Sequence, residues 1–537
     1  MQFKENIVTK FKTNWLWVVI AITGILALAI FLRTYNLLSV PIFADEAIYV
    51  RWAQVMRAEQ TLRFLPLSDG KQPLFMWTVM PFLKVFTDPL IAGRMVSVFS
   101  GMLTAIGIFL LSLRLFKSRT GALIASLLYA VSPFSVFFDR MALVDSMLTA
   151  FGVWSLYFGV LAAQTLRPDF AMLTGFALGA AWLTKSPAVF FVVLLPTTLL
   201  VSYWPKGKKS KIFKFLNLVG LWAISWFMAV AMYNIQRLGP NFQLLASRNQ
   251  DYIFTIKEVF THPFDPFKAH LIEIGQWFWT LLPWPMLILF FLGILVTVRT
   301  GWRVVLLLLS WVVLPLFVQS EFAKVFTARY ILFTIPPLFI LAGVATQWIF
   351  SKFPKAHWLL PLLLMPALVF DYLLLTNPEK APLPQEERSG YLEEWTAGTG
   401  IREAAMLIKA EHEARPDVPI LVGTEGFFGT LPDGLQIYVE KIPNITVKGI
   451  GITISSVDSS LIDAKKAGNK VYLVVNSSRF EGNPENIGLQ LLQSYPKAER
   501  QSGTRGYIIN GPRDSLYLFE VTKKAIDIFN VKNPKSH

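Results

Sequence analysis

Residues 204–234 read WPKGKKSKIFK followed by FLNLVGLWAISWFMAVAMYN, five lysines within eleven residues and then twenty residues without a charge. A run of about 20 apolar residues is what a helix needs to cross a bilayer core of about 30 Å. A lysine cluster at one end of such a run holds that end on the cytoplasmic side. Similar runs recur at 15–32, 90–113, 120–138, 143–163, 170–184, 187–203, 277–298, 304–319, 330–350 and 358–375, so the pattern predicts about eleven transmembrane helices. Composition agrees. Of 537 residues, 54% are hydrophobic and only 16% charged, against roughly 25% charged in soluble domains. A wholly soluble or disordered chain is excluded. The absence of cysteine excludes disulfides, thiolate metal sites and thiol nucleophiles.

The net charge of +15 invites a nucleic-acid reading until it is located along the chain. Residues 376–537 carry 19 basic and 20 acidic groups, so the whole excess lies in the first 375. With the N-terminus in the cytoplasm, the inner segments 1–14, 114–119, 164–169, 204–214, 299–303 and 351–357 hold 16 basic residues against Glu5 and Asp169. The excess is thus a cytoplasmic anchoring pattern and calls for no nucleic-acid partner. Residues 1–32 resemble a signal peptide but lack a small-residue cleavage site, which favours a retained signal anchor. The expected architecture is a polytopic α-helical membrane domain, 1–375, with long outer loops at 33–89 and 236–276. A Pro- and Glu-rich linker, 376–399, and an extracytoplasmic α/β domain, 400–537, follow in the cell (inner or plasma) membrane orientation.

The outer loops carry the mixed charges. DEAIYVRWAQVM (45–56) sets Ile48, Trp52, Val55 and Met56 on one helical face, which predicts an interfacial helix at the outer membrane surface. Asp45 and Glu46 open that helix, where carboxylates suit its dipole; a plain cap is the bland alternative. Beyond it, SDGKQPLFMW (68–77) places Asp69 and Lys71 before an apolar segment, and FFDRMALVDSML (137–148) holds Asp139, Arg140 and Asp145. A simple Asp–Arg salt bridge would explain two of these. WLTKSPAVF (182–190) carries Lys185, and FAKVFTARYILFTIPPL (322–338) carries Lys324 and Arg329. Each alone reads as an interface anchor. Together they put cations and carboxylates from separate loops on one side of the membrane, a constellation able to bind an anionic headgroup beside a base.

At these motifs the chain resembles the GT-C class of membrane glycosyltransferases, in particular the bacterial relatives of protein O-mannosyltransferases and lipid A aminoarabinose transferases. The resemblance rests on Asp45-Glu46, Lys71-Gln72-Pro73-Leu74, Asp139-Arg140 with Asp145, Leu183-Thr184-Lys185, and Ala328-Arg329-Tyr330 followed by Pro336-Pro337. It implies a glycosyltransferase, hexosyl or pentosyl, that moves a sugar from a polyprenyl-phosphate donor to an acceptor hydroxyl. Asp45 becomes the catalytic base with Glu46 beside it, and Lys71, Arg140, Lys185 and Arg329 become ligands of the donor phosphate. Asp69, Asp139, Asp145 and Lys324 support them. Two positions depart from the family pattern: Gln72 stands where the family element has a first proline, and Asp69 where the aminoarabinose enzymes have glutamate.

The chemistry is consistent with this. A donor used outside the cytoplasm must be lipid-linked, and its phosphate leaving group needs cations rather than a general acid. One carboxylate suffices to take the acceptor proton, and a single displacement implies inversion. No cofactor is required by the sequence; for a divalent cation the candidates are His262 and Asp69, with a loop histidine as the bland reading. Partners are the lipid-linked donor, an acceptor protein, lipid or glycan, and membrane lipids. The competing readings are a transporter or flippase of a lipid-linked sugar, an oligosaccharide-transferring or polymerising relative, and a membrane-anchored binding protein. In the tail, 419–424, 470–477 and 515–521 read as strands, and 400–414, 459–468 and 486–495 as helices. The sequons at Asn444 and Asn476 read as chance matches, and GTEGFFG (423–429) lacks the order of a nucleotide loop.

Overall fold

A computed structural model describes residues 2–532 of the chain; of the five histidines, His537 lies outside them. In chain order the first helices are α1 (Gln2–Thr34), α2 (Ala44–Ala58), α3 (Leu74–Phe82), α4 (Pro89–Phe116), α5 (Arg119–Ala130), α6 (Pro133–Asp139), α7 (Val144–Thr165) and α8 (Pro168–Thr184). The chain divides into two interleaved units. One comprises Met1–Leu37, Glu59–Thr78 and Arg94–Pro384, and the other Leu38–Ala58, Val79–Gly93 and Gln385–His537.

The first unit is helical. Among the described residues, six helices are long and apolar enough to cross a membrane, or nine if each of three bent pairs is one span. The chain is a multi-pass membrane protein. The bent pairs include α5 with α6, at 57°, and Ala328–Thr334 with Pro336–Lys352, at 54°. In both, a proline begins the second helix, where its missing N–H suits a first turn but cannot continue the preceding one. The runs read at 170–184 and 187–203 fall on α8, 17 residues long, and on the shorter apolar stretch Ser186–Val201.

The α5–α6 break has a specific consequence. In an unbroken helix the carbonyls of Tyr129 and Ala130 would accept from residues four positions on, but position 133 is proline. These carbonyls are instead met by Arg33, at the end of α1, whose Nη1 donates to Ala130 O at 2.9 Å and Nη2 to Tyr129 O at 3.4 Å. Ser135 Oγ donates to Tyr129 O as well. The guanidinium is fully buried, and its counter-charge is the equally buried Asp139, 2.9 Å from Nε. Tyr129 donates its hydroxyl to the same carboxylate oxygen at 2.9 Å. Gly101 leaves the room for it: any side chain there would strike Asp139 Oδ2. Arg140, next in sequence, donates to the carbonyls of Leu32 (3.0 Å), Tyr35 (2.8 Å) and Asn36 (2.7 Å), capping the C-terminal end of α1. Elsewhere small residues set the helix spacing: Gly175 and Gly179, one turn apart on α8, lie against Met228 and Met232 of the helix Lys208–Tyr233.

The second unit is built on a five-stranded sheet in the order β2-β1-β3-β5-β4. β1 (Ile420–Glu425), β2 (Ile445–Gly451) and β3 (Lys470–Asn476) are parallel. β4 (Leu489–Pro496) and β5 (Ser515–Val521) add antiparallel strands beside β3. Central β3 is buried from Val471 to Asn476, which explains its unbroken apolar run. Leu461 and Ile462 of the helix Ser459–Lys466 pack with Val471, Leu473, Phe519 and Val521. The segment expected to be a helix at 486–495 is instead largely edge strand β4. Gly488, at φ 79°, ends the short turn Pro484–Ile487 before it. The strand is exposed along most of its length and bulged between Leu491 and Gln493, so no buried face imposes an alternating pattern. Asn476 is buried and donates to Glu425 Oε1 at 2.7 Å, which takes that sequon out of reach. Burial pulls the amine of Lys497 down to about 8 although Asp514 faces it at 3.4 Å.

Two expectations change here. α2 is not a helix resting on lipid, because nine of its fifteen residues are buried within the second unit. Gln54 donates to Ile437 O at 2.9 Å and Arg51 pairs with Glu440 at 3.0 Å. Likewise the segment read as linker is packed: Ala44 N donates to Thr396 O at 3.1 Å and Gly398 N to Ile42 O at 2.7 Å, and Tyr391, Leu392 and Glu393 are buried.

Asp139→Leu would leave Arg33 buried without its counter-charge, a loss of about 3–5 kcal/mol. The full-length protein in detergent should show a clearly lowered unfolding midpoint by intrinsic fluorescence; an unchanged midpoint would show that the pair does not hold the α5–α6 break.

Candidate functional site

The acidic pair at the start of α2, in the second unit, divides into two roles. Glu46 is fully buried, and its Oε2 accepts from the backbone N–H of Phe43 at 3.0 Å, the reach-back contact that closes a helix N-terminus. Its carboxylate is engaged in folding, which corrects its assignment beside the base. Asp45, one residue earlier in the same first turn, keeps part of its surface open.

The cations of the first unit gather around two elements. Lys71 follows a tight turn, Leu65–Asp69, closed by Gly70 at φ 64°. Glycine is required there twice over, by the left-handed backbone and because a side chain would strike the Cβ of Arg248. Lys71 Nζ lies 3.4 Å from Asp69, and Arg248 reaches the other oxygen of the same carboxylate at 3.3 Å. The second element is the C-terminal end of α8, where Lys185 leaves the helix in an extended conformation. Its Nζ lies 2.6 Å from Asp145, in the first turn of α7, and 3.8 Å from the centroid of the Tyr330 ring. Arg329, nearly buried, stands 5.3 Å from the same ring. Gln72 joins the two elements, donating from Nε2 to Ser186 Oγ at 2.7 Å. The residue that departs from the family's proline therefore ties the neighbour of Lys71 to the neighbour of Lys185.

The cluster so formed has four cations, Lys71, Lys185, Arg248 and Arg329, against three carboxylates, Asp69, Asp145 and Asp251, the last 2.8 Å from Arg248, an excess of one positive charge. Aromatic support from Tyr330 favours cations held away from bulk water. Arg248 was not singled out from the sequence; its only signal was a place in the long loop 236–276.

Other candidates lie apart from this cluster. Arg140 caps α1 and Asp139 balances Arg33, so both belong to the scaffold, and Arg140 leaves the set of phosphate ligands. Lys324 is exposed and donates to Gln250 O at 2.9 Å. His262 is exposed in the turn after Thr261, while Asp69 is engaged by two cations. Among the described residues no group of three or more His, Asp or Glu is placed to hold a metal ion.

Residues 70–233 match the family model described as dolichyl-phosphate-mannose-protein mannosyltransferase. The undecaprenyl phosphate-alpha-4-amino-4-deoxy-L-arabinose arabinosyl transferase of Yersinia enterocolitica is 26% identical over 285 residues, 49% of this chain and 47% of that protein. The chain therefore spans about half the length of this curated relative. ArnT from Cupriavidus metallidurans, solved with undecaprenyl phosphate and in the apo state, superimposes with a TM-score of 0.52 at 16% identity, covering 94% of this chain and 98% of that one. The GT-C resemblance read from the motifs stands on these matches, and the fold is similar to that of ArnT.

Gln72→Leu removes one hydrogen bond and should cost about 1 kcal/mol of stability, seen as a small fall in the unfolding midpoint. Ser186→Ala should cost the same, and the double variant no more than either single. Fully additive losses would show that the two side chains do not interact.

Proposed function

We propose that this chain is a membrane glycosyltransferase that moves a sugar from a polyprenyl-phosphate donor to an acceptor hydroxyl on the extracytoplasmic face, with inversion at the anomeric carbon. The observation that carries the reading is the cation cluster of the membrane unit, in which Lys71, Lys185 and Arg329 gather beside Asp69 and Asp145, in a fold similar to that of ArnT. In the donor the phosphate is a diester with one negative charge. When the acceptor oxygen attacks the anomeric carbon, the bond from that carbon to the phosphate oxygen breaks and its electron pair stays on the phosphate. The released monoester approaches two negative charges. A cation-rich cluster attracts the product phosphate more strongly than the singly charged donor, which favours the transition state in which that charge develops. Asp45 takes the acceptor proton.

Lys71, Lys185 and Arg329 serve as the phosphate ligands, with Arg248 added through Asp69. Asp69 and Asp145 hold the lysines extended before the donor arrives, and the incoming phosphate replaces part of that pairing. The acceptor is a hydroxyl of a protein, lipid or glycan, and the sugar a hexose or pentose. The basic inner segments support an N-terminus in the cytoplasm of a cell with the outer loops and the sheet unit outside it. Eleven crossings follow if α8 and Ser186–Val201 also traverse the bilayer. The matched family model over 70–233 supports the same reading, since that segment holds Lys71, Asp145 and Lys185.

The test incubates purified protein with polyprenyl-phosphate sugars and an acceptor mixture and follows release of polyprenyl phosphate. Asp45→Asn should lower release by about 10²–10⁴-fold, and Lys71→Ala and Arg329→Ala should lower kcat as well as kcat/KM for the donor. Wild-type turnover in the Asp45→Asn protein would refute the assignment, and donor movement without release would indicate a transporter.

A further inference from the structure

Within the second unit, at the end of α2 away from Asp45, lies a cavity of about 610 Å³. Twelve residues separate Asp45 from Arg57, about 18 Å along the helix, so this cavity is distinct from the acidic end of α2. Its wall combines apolar residues, Leu83, Phe86, Pro89, Ile437 and Ile442, with three cations, Arg57, Lys409 and Lys441. Arg57 gives one N–H to the carbonyl of Leu83, 2.9 Å away, leaving its charge uncompensated. Lys409 and Lys441 have no carboxylate partner among the described residues. The one acid in the wall, Glu440, is already paired with Arg51 at 3.0 Å.

A cavity lined by both apolar residues and three cations suits a ligand that has an anionic group and an apolar part. Its position says where such a ligand comes from. Leu83, Phe86 and Thr87 belong to the short connection between α3 and α4, and Pro89 is the first residue of α4. α4 has 28 residues and is about 42 Å long, longer than the bilayer core of about 30 Å. The cavity thus lies where a candidate membrane-crossing helix begins, and Val85 in the same connection is 76% exposed. We propose that this cavity binds the phosphate-bearing headgroup of an anionic membrane lipid, with Arg57, Lys409 and Lys441 around the phosphate and the glycerol and first methylenes against Leu83, Phe86 and Ile442. The site is independent of the transferase reading, because none of its residues belongs to the proposed base or to the donor cluster.

The experiment measures equilibrium binding of a fluorescent short-chain phosphatidylglycerol to the detergent-solubilised full-length protein, beside a phosphatidylcholine analogue with the same chains. Wild type should prefer the anionic lipid. The double variant Lys409→Gln, Lys441→Gln should lose about 30-fold in that affinity, while keeping its unfolding midpoint. The pair Lys71→Ala, Lys185→Ala should keep the binding that the first double variant loses. Equal affinity for the two lipids, or no loss in Lys409→Gln, Lys441→Gln, would overturn the proposal. Inorganic phosphate competing at the same concentrations as the lipid would also overturn it, by making the site one for free phosphate.

Discussion

Pro133 cannot donate a hydrogen bond, and much of the membrane unit is arranged around that fact. A helix broken inside hydrocarbon leaves carbonyls that neither water nor lipid can satisfy, at several kcal/mol each. The chain answers with Arg33, whose guanidinium reaches the freed carbonyls of Tyr129 and Ala130. A buried guanidinium needs a counter-charge, which Asp139 provides, and a buried carboxylate needs further donors, of which Tyr129 is one. Room for the carboxylate comes from Gly101. Arg140 then fixes the end of α1 through three backbone carbonyls. The break between α5 and α6 thus ties together Arg33, Asp139, Tyr129 and Gly101.

This arrangement supplies a criterion for the other cations. Those of the scaffold, Arg33 and Arg140, are buried and direct donors to backbone carbonyls at helix ends. Lys71 and Lys185 are paired with side-chain carboxylates, at 3.4 and 2.6 Å, and both side chains are about 20% exposed. A phosphate can displace a carboxylate from such a lysine at modest cost, whereas taking Arg140 from its carbonyls would uncap a helix. The distinction between a structural cation and a poised one therefore lies in what it leaves behind when it moves.

The membrane character of the chain was legible in its sequence because length and apolarity are themselves the requirement for crossing a bilayer. Lys71, Lys185 and Arg329 were legible as cations recurring between apolar runs, but their carboxylate and ring partners were not. The role of Arg140 was not, because capping depends on which helix end lies beside it. Neither was the contact of Glu46 with the Phe43 N–H, since Asp45 and Glu46 have the same side-chain chemistry and differ only in reach. The apolar face Ile48, Trp52, Val55 and Met56 was correctly seen as a face, yet hydrophobic periodicity does not distinguish lipid from protein as its partner. β4 was misread for a related reason: an exposed, bulged edge strand carries little of the alternation that a buried face would enforce. Arg248 and the Gln72–Ser186 bond arise from contacts between distant segments, and no local pattern announces them.

The account turns on whether the Lys71–Lys185–Arg329 cluster holds a lipid-linked phosphate. The most direct measurement is the affinity of the full-length protein for a polyprenyl phosphate without any sugar, compared with its affinity for the matching polyprenol. The account predicts that wild type prefers the phosphate, and that Lys185→Gln loses most of the preference while binding the polyprenol as before. Equal affinity of wild type for phosphate and alcohol, or an undiminished preference in Lys185→Gln, would contradict it.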